Sequence, residues 1–379
     1  MKRFIFTSAL TFGLAAAALG NVAYAHGDKP SFKLRFIGEA TFPTGFLYEG
    51  TVVGGLSGID YNKYKNVYYA IADDRSSAAR FYSLTINLSD GALQNSDVQF
   101  RSVTTLLDKT GAPFAANSLD PESIRFSPIS RTLYWTSEGD ANQLLPPFVR
   151  QMTLDGKFIR ELTTPQKYFP VSGGTAGIRN NLAFENLSFS VDMKSIYTAT
   201  ENALAQDGPA ASRADQSPSR VLELSLRDGK AKDEHIYKTE TVAAEPVPAG
   251  SFSTNGLVEI LAYGEDEFLT LERSFSTGVG NAVRIYKTTL EGASNVKKLD
   301  SIAGMKVRSM KKELVLDLAT LGITLDNLEG MTFGPRLPNG DHSLILVSDN
   351  NFSATQFTQF LAFAIEEKKR HYAEYDGHR

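Results

Sequence analysis

A unit of two paired strands recurs five times along this chain, and that repeat limits the fold more than any other feature. The first strands read Ser57-Gly-Ile-Asp-Tyr61, Glu122-Ser-Ile-Arg-Phe126, Glu185-Asn-Leu-Ser-Phe189, Glu259-Ile-Leu-Ala-Tyr263 and Glu329-Gly-Met-Thr-Phe333. Their partners read Tyr69-Ala-Ile-Ala-Asp73, Tyr134-Trp-Thr-Ser-Glu138, Tyr197-Thr-Ala-Thr-Glu201, Phe268-Leu-Thr-Leu-Glu272 and Ile345-Leu-Val-Ser-Asp349. Antiparallel strands repeating every several tens of residues are the mark of a β-propeller. The spacing therefore predicts an all-β fold: a single β-propeller of five blades, with 242–253 and 295–312 as places where a degenerate sixth could sit. A third strand follows each acid, and turn residues such as Asp155-Gly and Asp228-Gly precede a fourth. The last repeat lacks its fourth strand. The segment Phe32 to Ile37 is a spare one at the start of the chain, so the ring should close by pairing the two ends, which removes exposed sheet edges.

The termini lie outside this repeat. Lys2 and Arg3 precede an apolar run, and Ala23-Tyr24-Ala25 has the small-x-small form of a cleavage site. Residues 1–25 thus read as a signal peptide removed at about Ala25, which places the mature chain in the periplasm or outside the cell. The domain is expected over 30–366, and residues 367–379 read as a polar tail. No later segment approaches the roughly 20 apolar residues of a membrane span. The chain has no cysteine, which excludes disulfides and thiolate metal sites. Its formal net charge of −4 and the lack of a basic block give nucleic-acid binding no electrostatic support. A monomer whose partner is a small molecule is expected.

Strand antiparallelism stacks three repeated positions at one end of the ring: the residue opening the first strand, the acid closing the second and the arginine opening the third. This puts Glu122, Glu185, Glu259 and Glu329 together with Asp73, Glu138, Glu201, Glu272 and Asp349, with Ser57 in the first blade. Arg80, Arg150, Arg220 and Arg284 would join them. So many carboxylates cannot all ionise in one cavity. Arginines must pair with them, some must stay protonated, or a cation must sit among them. Hard cations such as Ca²⁺ take six to eight oxygen ligands, and Asn186 and Asn202 flank the acids and could contribute. The opposing reading is architectural, with one Glu–Arg tie per blade.

Weaker signals point elsewhere and fail. Ser57 is not in a nucleophile elbow, the five histidines lack ligand spacing, and Ser172-Gly-Gly-Thr-Ala-Gly177 precedes no helix. The connection from Pro165 to Asn181 and that from Gln206 to Ser219 are long and should overhang the acidic end as a rim.

Taken together, Gly-Gly-Leu-Ser-Gly-Ile-Asp-Tyr (54–61), Asp-Pro-Glu-Ser-Ile (120–124), Asn-x-x-Phe-Glu (181–185) and Leu-Glu-Gly-Met (328–331), each with its paired acid segment, resemble the phytase-like esterase family of exported bacterial proteins. The resemblance spans roughly 35–365; blade four follows the pattern loosely, which puts Glu259 in doubt. It implies an ester hydrolase; joined to the carboxylate cluster, it favours a phosphate ester cleaved with a divalent cation, Ca²⁺ foremost. On this reading Glu122, Glu185 and Glu329 are the catalytic candidates. Asp73, Glu138, Glu201, Glu272, Asp349, Asn186 and Asn202 are the metal-ligand candidates. Arg75, Arg80, Arg150, Arg220 and Arg273 are the substrate-binding candidates. Two other functions stay open: a non-catalytic periplasmic propeller that binds a ligand or partner, and a metal-dependent carboxylic ester or lactone hydrolase.

Overall fold

The computed structural model describes residues 32–367, so the expected signal peptide and the tail beyond Glu367 lie outside the described residues. The first strand, β1 (Phe32–Pro43), is followed by a small hairpin, β2 (Leu47–Tyr48) and β3 (Thr51–Val52). Blade one is β4 (Leu56–Asn62), β5 (Val67–Ala72), β6 (Arg80–Ile86) and β7 (Val98–Thr105). Blade two is β8 (Pro121–Ser127), β9 (Thr132–Ser137), β10 (Phe148–Met152) and β11 (Phe158–Glu161). Blade three is β12 (Ser188–Phe189), β13 (Ser195–Ala199), β14 (Pro218–Ser225) and β15 (Ala231–Lys238). Blade four is β16 (Ser253–Gly264), β17 (Glu267–Ser276), β18 (Gly280–Thr289) and β19 (Lys311–Asp317). Blade five is β20 (Asn327–Arg336), β21 (His342–Asp349) and β22 (Phe357–Glu367), completed by β1.

The ring is therefore a five-bladed propeller closed by its own amino-terminal strand. β1 pairs antiparallel with β22 from Phe32↔Glu367 to Pro43↔Phe357. Both sixth-blade candidates are irregular connections. Side-chain alternation explains the packing between blades. On β5, Tyr68, Ala70 and Ala72 pack toward blade five, whereas Tyr69 and Ile71 pack toward blade two. On β21, Ile345 and Val347 meet blade one, and Leu344 and Leu346 meet blade four. Each of the five blade junctions holds one such apolar cluster. Burying one large apolar side chain is worth about 1.5–3 kcal/mol, so these junctions, and not hydrogen bonding within blades, hold the ring together.

The first strands line the axis, and four of them carry a β-bulge near their upper end: between Leu56 and Gly58, Pro121 and Ile124, Leu257 and Glu259, and Leu328 and Gly330. A bulge adds a residue and re-aims its side chain. Just below, Arg125 of β8 crosses the axis. One nitrogen donates to the Ile59 carbonyl (2.5 Å), another to Glu259 Oε2 (2.7 Å), and the latter also reaches the Met331 carbonyl (3.2 Å). Glu259 in turn accepts from the Ile260 N–H at 2.9 Å. Both side chains are buried. This bridge links first strands of blades one, two, four and five across the axis.

Candidate functional site

Above the Arg125–Glu259 bridge the bulges and strand ends turn eight carboxylates toward the axis: Asp73, Asp120, Glu122, Glu138, Glu185, Glu201, Glu329 and Asp349. Most of them open on a cavity of about 920 Å³. One oxygen from each of Asp73, Asp120 and Glu122 lies within 4.8 Å of the others, and the same holds for Glu122, Glu138 and Glu185. Glu122 belongs to both groups, and no donor reaches its carboxylate among the described residues. Asp120 was not picked out from the sequence, although Asp120-x-Glu122 is the spacing that puts two side chains on one face.

Burial holds every one of these acids above its ordinary range, and neighbouring negative charge adds to the effect. Asp73 is raised by burial and then by Asp120 and Asp349, and Glu122 by burial and then by Glu185, Asp73, Asp120 and Glu138. For Glu185 burial is followed by Glu138, Glu201 and Glu329. Glu138 is pushed up to about 8 by burial, although it accepts from the Ala183 N–H at 2.6 Å and from the Glu185 carboxyl. Glu201 is raised to about 7, burial outweighing the Arg273 guanidinium. Arg273 bonds Glu329 Oε1 (2.7 Å) and lies 3.6 Å from Glu201 Oε1. Glu329 also accepts from Asn327 (2.9 Å), yet burial keeps it raised.

Blade four departs from the others by one residue of register. Gly330 pairs with Val347 and Asn327 with Asp349, whereas Glu259 pairs with Leu271 and Gly256 with Arg273. Glu259 therefore stands where blades one and five have Gly58 and Gly330. The first-strand acid position falls on Val258, and the second-strand acid position on Arg273. A one-residue slip exchanges faces, so both acids expected from this blade leave the ring. Glu259 drops to the bridge below. Glu272 turns toward blade three, where it accepts from Tyr237 Oη (2.6 Å), the Glu240 N–H (2.8 Å), Asn255 (2.9 Å) and Lys312 (2.6 Å). Gly256 is needed for the remaining contact: a Cβ there would lie 2.1 Å from Glu201 Oε1.

The third-strand arginines do not reach the ring. Each strand outward adds about 4.8 Å, so these positions lie two strand spacings from the axis, and each finds a local acid. Arg80 pairs with Asp74, Arg150 with Glu161 (2.8 Å), Arg220 with Asp207 (2.6 Å) and Glu234 (2.8 Å), and Arg284 with Asp317 (2.9 Å). These ties are local to each blade, and none of them uses a repeated acid of the first or second strand. The two asparagines are likewise committed to backbone. Asn186 accepts from the Ala199 N–H and donates to the Ala199 and Leu257 carbonyls, and Asn202 accepts from Ala211 and donates to Asn255. Of the arginines singled out from the sequence, Arg75 and Arg273 come to the acids. Arg75 lies 3.3 Å from Asp120 and 2.5 Å from Asp140, and is 31% exposed. The two long connections supply part of the rim, through Asn180–Leu182 and Ala210–Ala211.

The donor set suits a hard divalent cation. Its ligand atoms are all carboxylate oxygens, and Asp73 Oδ1 and Glu201 Oε1 are buried without a hydrogen-bond donor. Unsatisfied buried acceptors are costly unless a further partner arrives.

The chain matches the phytase-like family, described as esterase-like activity of phytase, over residues 51–352. It is 24% identical over 231 residues to an uncharacterized secreted protein of Arthroderma benhamiae, covering 54% of this chain and 43% of that relative, so the chain spans less than half of it. Among solved structures it is similar to an α-L-arabinofuranosidase from Lactobacillus brevis (11% identity, 83% of this chain and 91% of that one, TM-score 0.43). It is also similar to a thermostable family-43 glycoside hydrolase (11% identity, 87% and 96%, TM-score 0.47). The repeated Glu and Asp positions around the axis and the match over residues 51–352 have one reading: the chain belongs to the phytase-like family.

Proposed function

We propose that this is an exported ester hydrolase whose reaction centre is the acid ring above the Arg125–Glu259 bridge. The observation that carries the reading is the excess of buried carboxylates over cations at the floor of an open cavity. Membership of a family described by esterase-like activity supports a hydrolase. A phosphate ester is the favoured substrate, and Ca²⁺ the favoured cofactor. Asp73, Asp120 and Glu122 would hold the ion, which when bound would polarise the ester and neutralise developing negative charge.

The chain's own groups have separate tasks. Of the two candidate bases, Glu122 and Glu185, Glu122 is committed to the ion, so the Glu138–Glu185 pair acts on the attacking water: the two share a hydrogen bond, and the ionised member takes the proton. As the new bond from water forms and the ester bond breaks, the leaving alkoxide needs a proton. The Glu138–Glu185 pair holds one, since burial keeps Glu138 at about 8. Glu329, fixed by Arg273 and Asn327, orients that guanidinium toward the cavity. Arg273 lines the cavity and is the guanidinium placed to meet substrate oxygen.

A second reading, a carboxylic ester or lactone, is favoured by the rim, where Phe252, Phe275, Leu325 and Phe357 outnumber the one lining cation, Arg273. The test compares p-nitrophenyl phosphate with p-nitrophenyl acetate, after chelation and after adding back Ca²⁺. Ca²⁺-dependent cleavage of the phosphate, abolished by Glu122→Gln, supports the first reading. Cleavage of the acetate alone moves the assignment to the second. Absence of both, with ligand binding retained, leaves a binding propeller.

A further inference from the structure

The register slip in blade four gives the cavity two unlike walls. Around blades one to three the lining carries Asp73, Glu122, Glu185 and Glu201. In the blade-four sector Val258 and Arg273 take the acid positions. Beyond Arg273, on the same face of β17, comes Phe275, and Phe252 packs on it with ring centroids 6.1 Å apart. Phe252 is 68% exposed. Asn281 stands opposite Phe275 in the sheet; its amide reaches the Leu325 carbonyl at 3.5 Å, and its Oδ1 is buried with no donor. Phe357 is the remaining aromatic side chain lining the cavity, and it comes from the adjoining blade.

We propose that this wall is the subsite for the organic part of the substrate, and that this part is a flat, largely apolar ring carrying a single ester group. The inference rests on the hydrolase reading for the position of the reacting group, which lies across the cavity at the acids. A flat ring gains from offset or edge contact with the Phe252–Phe275 pair, and a ring hydroxyl or amine would satisfy the open Asn281 oxygen. The same wall disfavours a polyol bearing several phosphates. Each additional phosphate would bring roughly two negative charges at neutral pH into a cavity whose lining offers Arg273 as its one cation among seven acids, counting Asp326 with Asp73, Glu122, Glu185, Glu201, Glu329 and Asp349. Specificity here comes from repulsion as much as attraction.

The experiment measures binding of phenylphosphonate, methylphosphonate and neutral p-nitrophenol by calorimetry, with Ca²⁺ present, to the wild type, Phe252→Ala and Phe275→Ala. Phe252 is exposed, so its variant keeps the fold even if Phe275→Ala is weakened. The expected result is phenylphosphonate binding about tenfold tighter than methylphosphonate, a gap that shrinks to about threefold or less in either variant. Methylphosphonate affinity should stay within a factor of about two in both. Equal affinity of the two phosphonates, or a phenyl preference that ignores both substitutions, overturns the subsite while leaving the hydrolase reading intact. Phe275-dependent binding of p-nitrophenol with no binding of either phosphonate keeps the subsite and removes the phosphoryl reading. No binding of any of the three overturns both.

Discussion

Two layers of buried charge lie one above the other on the propeller axis, and they are built on opposite terms. In the lower layer the Glu259 carboxylate meets a guanidinium at 2.7 Å and a backbone N–H at 2.9 Å, and Arg125 also serves backbone carbonyls of blades one and five. In the upper layer eight carboxylates share one buried guanidinium, Arg273, which touches Glu329 and Glu201, with Arg75 at the edge. Burial still pushes Glu259 up to about 7, so the contrast lies in donors and not in titration: carboxylates tied to donors fix geometry, whereas those short of donors keep the capacity to bind. The same contrast separates the third-strand arginines, each paired with its own acid, from the ring they were expected to join.

The largest effect expected from breaking this contrast is in the lower layer. Arg125→Ala leaves Glu259 buried and unpaired, and should lower unfolding stability in urea by about 3–5 kcal/mol; adding Glu259→Leu to Arg125→Met should restore much of it. A double variant no better than the single would show that the carbonyl contacts of Arg125, and not the ion pair, matter. The upper layer should behave the other way. Saturating Ca²⁺ at about 100 times its dissociation constant should stabilise the chelated protein by about 2.7 kcal/mol, read as a rise of a few degrees in melting temperature. Glu122→Gln should abolish that rise.

Glu272 supplies a sharper cut, being an acid of the repeat that points out of the ring. Glu272→Gln should cost about 1–3 kcal/mol through its four donors while leaving the Ca²⁺ response unchanged. A lost response would place it in the site after all. The remaining effect expected is on pH dependence. Glu138 titrates at about 8 when folded, against 4.5 for the ordinary side chain. Between these values the folded chain binds more protons than the unfolded one, so metal-free stability should fall as pH rises from about 4.5 to about 8 and level off above. Glu138→Gln should flatten that slope, and an unchanged slope would assign it to other ring members.

The repeat, the blade count and the closing strand were legible because alternation and turn residues are local properties. So was the position of Asp73, Glu122, Glu185 and Asp349, since four of the five blades keep one register. Blade four was misread because Val258-Glu259 and Glu272-Arg273 each offer two adjacent residues for one position, and nothing local decides between them. Only the pairing of Gly256 with Arg273 across the strands settles it. The arginines were misplaced because strand order gives the end of the ring a residue occupies but not its distance from the axis. Asp120 escaped because it precedes the strand and has no counterpart in the other repeats.

The most direct test of the central claim, that the upper layer is an uncompensated cation site, is a calorimetric titration of Ca²⁺ into the chelated protein, its Glu122→Gln variant and its Glu272→Gln variant. The account predicts saturable binding to the wild type and to Glu272→Gln, and none to Glu122→Gln. Binding that survives in Glu122→Gln, or that is absent from the wild type, would contradict it.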